Sequence, residues 1–160
     1  MSQHGCSAVV VSCMDYRIQS AVMRFASHNF EDGFDYLSMA GGPKRITDVI
    51  TRSRVMDQLK LAKELHGVRK VLLIGHQDCG AYGGSEAFGE LSSEVSRVVA
   101  DMMTAKQLIK AAFRYEGVEV YLAFMTKNGR SWKSHVIKAD VPLDDAVMGI
   151  LEVDEEQDQY

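Results

Sequence analysis

Cys13, His76 and Cys79 are the residues of this 160-residue chain whose types belong together chemically. Two thiolates and one imidazole form a soft nitrogen and sulfur set that suits zinc, and three protein ligands leave the fourth tetrahedral position free for water or substrate. An open site of that kind is the outline of a catalytic centre. His76 and Cys79 lie three residues apart in His76-Gln-Asp-Cys79-Gly80, a spacing that one turn satisfies, so Cys13 has to come from a neighbouring element. The same trio can be read as two buried structural cysteines and a hydrogen-bonded histidine, or as a Cys13–Cys79 redox pair. The redox reading leaves His76 without a role. Cys6 cannot replace Cys13 while the chain between them is extended, since seven residues at roughly 3.3 Å each separate them by about 23 Å. It reads as an idle thiol near the terminus.

Asp15 and Arg17 follow Cys13 by two and four residues, so in an extended backbone all three side chains point the same way. A carboxylate beside a metal can accept a hydrogen bond from bound hydroxide or bind the metal as a fourth ligand. Arg17 can hold that carboxylate through a two-pronged contact and keep it ionised. A surface ion pair at a helix start would leave the same trace in the sequence. Gly41, Gly42 and Lys44, in Gly41-Gly-Pro-Lys-Arg45, offer backbone N–H groups and positive charge to an anion such as bicarbonate or phosphate. The spacing matches neither standard phosphate-loop pattern, so a plain strand-to-helix turn is the preferred reading there. His4, His28, His66 and His135 have structural explanations at a terminus, at helix ends and on a strand. Tyr82-Gly-Gly84 reads as a lip over the turn that carries Cys79.

The elements that would bring these residues together are legible from periodicity. Ser7–Ser12 is a β-branched run without alternation, as in a strand buried on both faces of a parallel sheet. Apolar residues at three- and four-residue steps from Ile18 to Asn29 predict a helix. Phe34–Met39 is a second strand, closed by Ala40-Gly-Gly-Pro43. A helix capped by Thr47 or Asp48 is expected to run to Leu65 with Val49, Ile50, Met56, Leu59 and Leu65 inward. Lys70–Gly75 is a third strand, Ser92–Tyr115 a helix, and Val118–Phe124 and Trp132–Lys138 are a fourth and fifth strand around the turn Lys127–Arg130. Alternating strands and helices predict an α/β fold, a mostly parallel central sheet of about five strands with helices on both faces. Such sheets carry their sites at the carboxyl ends of the strands, where Cys13, Gly41 and His76 fall.

Composition narrows the class. The length suits one domain, residues 1–160, and 46% hydrophobic with 25% charged residues excludes disorder and fibrous repeats. No apolar stretch approaches the ~20 residues of a membrane span, and the first residues do not resemble a signal peptide, so the cytoplasm is the expected compartment and no membrane is an expected partner. Residues 140–160 carry eight acids and no base, an acidic C-terminal segment, while the remainder has eighteen bases against fourteen acids. Those bases are scattered, which argues against nucleic acid.

Cys13-Met-Asp-Tyr-Arg17 followed by His76-Gln-Asp-Cys79 resembles the Cys-x-Asp-x-Arg and His-x-x-Cys pair of the β-class carbonic anhydrases. The resemblance covers residues 7 to about 125. It implies an α/β zinc enzyme, a lyase that hydrates carbon dioxide to bicarbonate by metal-bound hydroxide, with Zn²⁺ on Cys13, His76 and Cys79. Asp15 and Arg17 would be the catalytic dyad, with Asp15 free or acting as fourth ligand. It also implies a homodimer or higher homo-oligomer. The sequence departs from the family in two places. Only about six residues precede the first strand, where members usually carry a helical arm that wraps the partner subunit. Ser38-Met-Ala-Gly-Gly-Pro-Lys44 stands where an Arg-Asn-x-Gly/Ala-Asn stretch is common. These departures keep two other expectations open: a zinc hydrolase of a related molecule such as carbonyl sulfide or carbon disulfide, and a non-catalytic, zinc-stabilised binding or oligomerisation module.

Overall fold

All six residues of Ala8–Cys13 (β1) are buried. A parallel strand with a neighbour on each edge and helices on each face has no wet side, which is why this segment reads as a continuous apolar run. In the computed structural model, which describes residues 4–140, β1 is followed by Tyr16–Asn29 (α1), Phe34–Met39 (β2), Lys44–Thr47 (α2), Arg52–His66 (α3) and Lys70–His76 (β3). Two short 3₁₀ turns, Gly80–Tyr82 and Ser85–Ala87, lead into Leu91–Ala112 (α4), then Gly117–Asn128 (β4) and Ser131–Lys138 (β5). The acidic segment predicted from residue 140 onward lies outside the described residues, apart from Asp140.

The five strands form one sheet in the order β2-β1-β3-β4-β5, parallel except for the β4–β5 hairpin. The predicted α/β architecture is therefore the observed one. Side chains alternate between two cores. Val9, Val11, Val71 and Leu73 face Ile46, Leu59, Val98 and Met102 of α2, α3 and α4. Ala8, Val10, Leu72 and Ile74 face Ile18, Val22 and Ala26 of α1. The chain leaves β1 for β2 on one side and returns to β3 on the other, so strand order reverses at β1 and a crevice opens between the carboxyl ends of β1 and β3.

The expected helix over residues 47–65 is in fact two helices. Asp48 leaves the helical conformation with ψ 122°, and its carboxylate accepts the Ile50 N–H at 2.8 Å, a local hydrogen bond that competes with the helical ladder. Val49 and Ile50, expected inward, sit in this break and are 82% and 85% exposed. Leu65 also faces outward, while Leu59 is fully buried as its position on the helix face predicted.

Close packing at Gly75 sets the depth of the β3–α4 contact. A Cβ there would meet Val98 Cγ1 at 2.6 Å and Met102 Sδ at 3.0 Å. Gly75→Ala is expected to destabilise the fold by roughly 1–3 kcal/mol through overpacking. In a Val98→Ala background the same substitution should cost less, as a urea-denaturation double-mutant cycle would measure; equal costs in the two backgrounds would show that packing against α4 is not the reason for the glycine.

Candidate metal centre

Each of the three candidate ligands is placed by the end of a strand. Cys13 is the last residue of β1, His76 is the last residue of β3, and Cys79 closes the turn that follows. All three are buried, at 6%, 1% and 2% exposure, and their ligand atoms lie within 4.8 Å of one another. The two sulfurs are 4.0 Å apart. Two thiolates at about 2.3 Å from a tetrahedral zinc would stand about 3.8 Å apart. Cys13 and Cys79 are free cysteines.

His76 supplies the sharpest test of fit. Its Nδ1 is 2.7 Å from the Gln77 carbonyl oxygen, which can only accept, so the proton sits on Nδ1 and Nε2 is a bare lone pair. That Nε2 is buried without a hydrogen-bond partner. An orphaned buried acceptor is costly in a native fold, and a carbonyl oxygen fixing the far nitrogen is the usual second support of a metal-binding histidine. The donor set present therefore fits a zinc ion. Gln77 is itself tied to β4, its amide nitrogen donating to the Met125 carbonyl at 3.0 Å.

Electrostatics within the trio are set by the two sulfurs. A hydrogen bond from the Cys79 thiol, with help from the Gly41 N–H, pulls the Cys13 thiol well below its ordinary range, while the same hydrogen bond and burial push Cys79 up. Two sulfurs this close resist ionising together, and a cation between them would let both do so.

Asp15 and Arg17 come together by a different route from the extended backbone expected above. Asp15 is the N-cap of α1, and its Oδ1 accepts the Arg17 backbone N–H at 3.0 Å. The Arg17 Nε donates to both carboxylate oxygens, at 3.0 and 3.1 Å, and Nη2 donates to Oδ2 at 2.6 Å. These hydrogen bonds hold the Asp15 carboxyl below the usual carboxylate range. The other side of the guanidinium serves the Cys79 turn, with Nη1 donating to Asp78 Oδ2 at 2.6 Å and Nη2 to the Asp78 carbonyl at 2.9 Å. Its face lies 5.1 Å from the centre of the Trp132 ring on β5.

Sequence reasoning missed the residues that hold this arrangement. Asp78 is the one non-glycine with positive φ among the described residues, at 51°. Glu94 of α4, 1% exposed, accepts the Asp78 N–H at 2.5 Å and the Ser85 hydroxyl at 2.7 Å, stabilising that strained turn from beneath. Behind Cys13, the Gln19 amide donates to its carbonyl at 2.9 Å and accepts from the Tyr36 hydroxyl at 2.7 Å. A buried glutamate in the first turn of a helix carries no sequence signal of that role.

Gly41 and Gly42 form the turn between β2 and α2, the preferred reading above. The Gly41 N–H points at Cys13 Sγ, 3.4 Å away. Lys44 donates through Nζ to the Ala81 carbonyl and lies 4.3 Å from the centre of the Tyr82 ring. The glycines therefore press on the end of β1, and the lysine secures the 3₁₀ turn after Cys79. Cys6 lies at the opposite end of β1, grouped with Asp35 and His66.

Comparison with known proteins bears on this geometry. A family model described as "Putative carbonic anhydrase" matches residues 3–137. An uncharacterized protein of Rickettsia conorii is 27% identical over 130 residues, covering 77% of this chain and 69% of that protein. Among solved structures, a carbonic anhydrase from Streptococcus mutans has 18% identity and a TM-score of 0.49, covering 78% of this chain and 80% of its own. A beta-carbonic anhydrase from Trichomonas vaginalis has 15% identity and a TM-score of 0.49, covering 86% and 87%.

The glycine cradle gives a direct test. A Cβ on Gly42, at φ +48°, would fall 2.6 Å from both the Cys13 nitrogen and the Ser12 carbonyl carbon, whereas one on Gly67, at φ +70°, meets nothing within 4 Å. Gly67→Ala is expected to cost about 1–2 kcal/mol of backbone strain alone. Gly42→Ala should cost clearly more in urea unfolding, because the clash is with backbone that cannot rotate away; equal losses would refute the close approach.

Proposed function

The chain belongs to the carbonic anhydrase family that this model describes, and from that membership we propose that it hydrates carbon dioxide to bicarbonate with a zinc ion held by Cys13, His76 and Cys79. The observation that carries the reading is the buried, partnerless Nε2 of His76 grouped with two sulfurs 4.0 Å apart. Zinc, when bound, supplies a Lewis acid that makes hydroxide available near neutral pH.

The chain's own residues do the rest. Gln77, through its carbonyl, keeps His76 in the tautomer that presents Nε2. The Gly41 N–H stabilises negative charge on Cys13. Asp15, kept ionised by Arg17, is an acceptor only. Its role in this proposal is to take a hydrogen bond from the O–H group that adds to the substrate carbon, leaving an oxygen lone pair directed at that carbon. Arg17 is a positioning residue, since its donors are spent on Asp15 and Asp78 and fix the carboxylate against the Cys79 turn. A homo-oligomer belongs to the same proposal: Met14, Tyr16, Val49 and Ile50, which follow β1 and α2, are exposed apolar side chains of the kind a second subunit covers.

Among the described residues no helix is long and apolar enough to cross a membrane. Zinc-loaded protein is expected to hydrate carbon dioxide in a stopped-flow assay. Cys13→Ser should abolish activity together with zinc at this site. Asp15→Asn should retain that zinc and lose about 10²-fold or more in kcat/KM, the contribution typical of a positioned proton acceptor. Zinc-loaded protein inert toward carbon dioxide between about pH 7 and 9 would overturn the reading, and sulfide release from carbonyl sulfide by that same protein would move the proposal to that substrate.

A further inference from the structure

At the amino-terminal end of the sheet, the side chains of Cys6, Asp35 and His66 bring a sulfur, a carboxylate oxygen and an imidazole nitrogen within 4.8 Å of one another. We propose that these three residues form a second metal site, for a divalent transition ion of the zinc type, at the opposite end of β1 from Cys13.

The chemistry of the donors comes first. One thiolate, one carboxylate and one neutral imidazole are each common ligands of zinc, and together they balance the charge of a divalent ion. Tetrahedral zinc with these ligands needs donor separations of about 3.3–3.7 Å. His66 Nδ1 already lies 2.9 and 2.8 Å from the two Asp35 carboxylate oxygens, and with every ligand atom within 4.8 Å of the others, side-chain shifts of about 1 Å would reach the separations zinc needs. Ion binding would release the Cys6 thiol proton to solvent, while the neutral His66 ring would carry its proton on Nε2 so that Nδ1 is free to coordinate. Burial and the Asp35 carboxylate beside it push the Cys6 thiol up, and a cation between the two groups reverses both effects.

The main chain holds this arrangement independently of any ion. The Cys6 N–H donates to the His66 carbonyl at 3.1 Å, joining the approach to β1 to the last residue of α3. Gly67, in the left-handed conformation at φ 70°, stops α3 there and leaves His66 at its end. Asp35 is fixed by pairing with Val9 in the parallel ladder. Gly33 passes beside the cluster, where a Cβ on it would be in ordinary contact with Cys6 Cβ at 4.0 Å. Access is available. The three residues are half-buried, and a cleft of about 250 Å³ lined by Asp35, Leu37, Leu61 and His66 opens beside them.

Three ligands from separate elements leave a fourth position to solvent, as they do at Cys13, His76 and Cys79, but here the surroundings are wetter. Such a site clamps the amino end of β1 to β2 and to the end of α3. The proposal does not depend on carbon dioxide hydration, because it uses none of the residues assigned to that reaction.

The full chain, without a histidine tag and kept reduced with a non-chelating phosphine, would be equilibrated with Zn²⁺, dialysed and analysed for bound metal. Two equivalents per chain are expected, falling to one in Cys6→Ala and to one in His66→Gln. In Cys13→Ser the equivalent lost should be the other one. Loading with Co²⁺ reads the same event spectroscopically: the wild type should show thiolate-to-cobalt absorption from both sites, and Cys6→Ala should lose one part of it. Cys6 is half-buried and His66 partly exposed, so both variants should fold. The proposal is overturned by no bound equivalent in the wild type, or by a wild-type metal content that is unchanged in Cys6→Ala or in His66→Gln; a single wild-type equivalent lost in those two variants and kept in Cys13→Ser would uphold it and reject the zinc assigned to Cys13. Two bound equivalents in a protein without hydration activity would reject only the catalytic reading.

Discussion

Arg17 directs its N–H groups at two carboxylates that follow different strands, Asp15 between β1 and α1 and Asp78 in the turn after β3. A guanidinium has five donors in a fixed plane, so satisfying both partners fixes the angle between the two loops as well as their distance. The candidate ligands flank those carboxylates: Cys13 is two residues before Asp15, and His76 and Cys79 bracket Asp78. Holding Asp15 against Asp78 therefore holds sulfur against sulfur. A lysine could neutralise one carboxylate but could not supply the planar fork, and Trp132 under the guanidinium face keeps that fork partly out of water, where its hydrogen bonds weigh more.

The turn itself is an unfavourable piece of backbone made tolerable by its surroundings. Asp78 sits at φ 51°, which a non-glycine avoids, yet its side chain accepts the Ser85 N–H at 3.0 Å while its own N–H is taken by the buried Glu94. Glu94 is the more unusual partner, a carboxylate at 1% exposure whose two oxygens are both engaged, one by Asp78 and one by Ser85. Burial of such a group is costly unless every lone pair has work, and here the work is to define the turn that presents His76 and Cys79. Rigidity at the rim is thus assembled from three layers: glycine contact with β1, a guanidinium between loops, and a buried carboxylate beneath.

Much of this was legible in the sequence because it rests on patterns that local physics controls. Buried parallel strands read as continuous apolar runs, so β1, β2 and β3 fell within one residue of their expected ends, and the sheet class followed from their alternation with helices. The grouping of Cys13, His76 and Cys79 followed from two strand ends being neighbours. What escaped was decided by contacts distant in sequence or by local competition. Asp48 breaks a helix that the apolar spacing favoured, because a carboxylate that bonds the N–H two residues on offers the backbone an alternative. Asp15 and Arg17 meet through an N-cap rather than through strand alternation, since the chain turns helical directly after Asp15. Cys6 read as idle because its neighbours, Asp35 and His66, lie 29 and 60 residues further along the chain.

That the two candidate metal clusters lie at opposite ends of β1 follows from the burial of that strand. A parallel strand such as β1 offers two dry faces, so an unpaired donor or acceptor in its middle would lose water without gaining a partner. On β1 the candidate ligands therefore fall where the ladder stops, Cys13 at its last residue and Cys6 just before its first, and a strand has two such places. The two ends differ in what surrounds them. At the carboxyl end Cys13, His76 and Cys79 are almost fully covered, and the loops there are locked by Arg17 and Glu94, conditions under which charge interactions are strong and geometry is fixed. At the amino end Cys6, Asp35 and His66 are half-buried, tied by the Cys6–His66 backbone hydrogen bond and by the contact of His66 Nδ1 with the Asp35 carboxylate. A dry, rigid rim favours stabilising charge as it develops in a reaction, whereas a wet rim on the same strands favours reversible capture of an ion, so one sheet can support both without either site constraining the other.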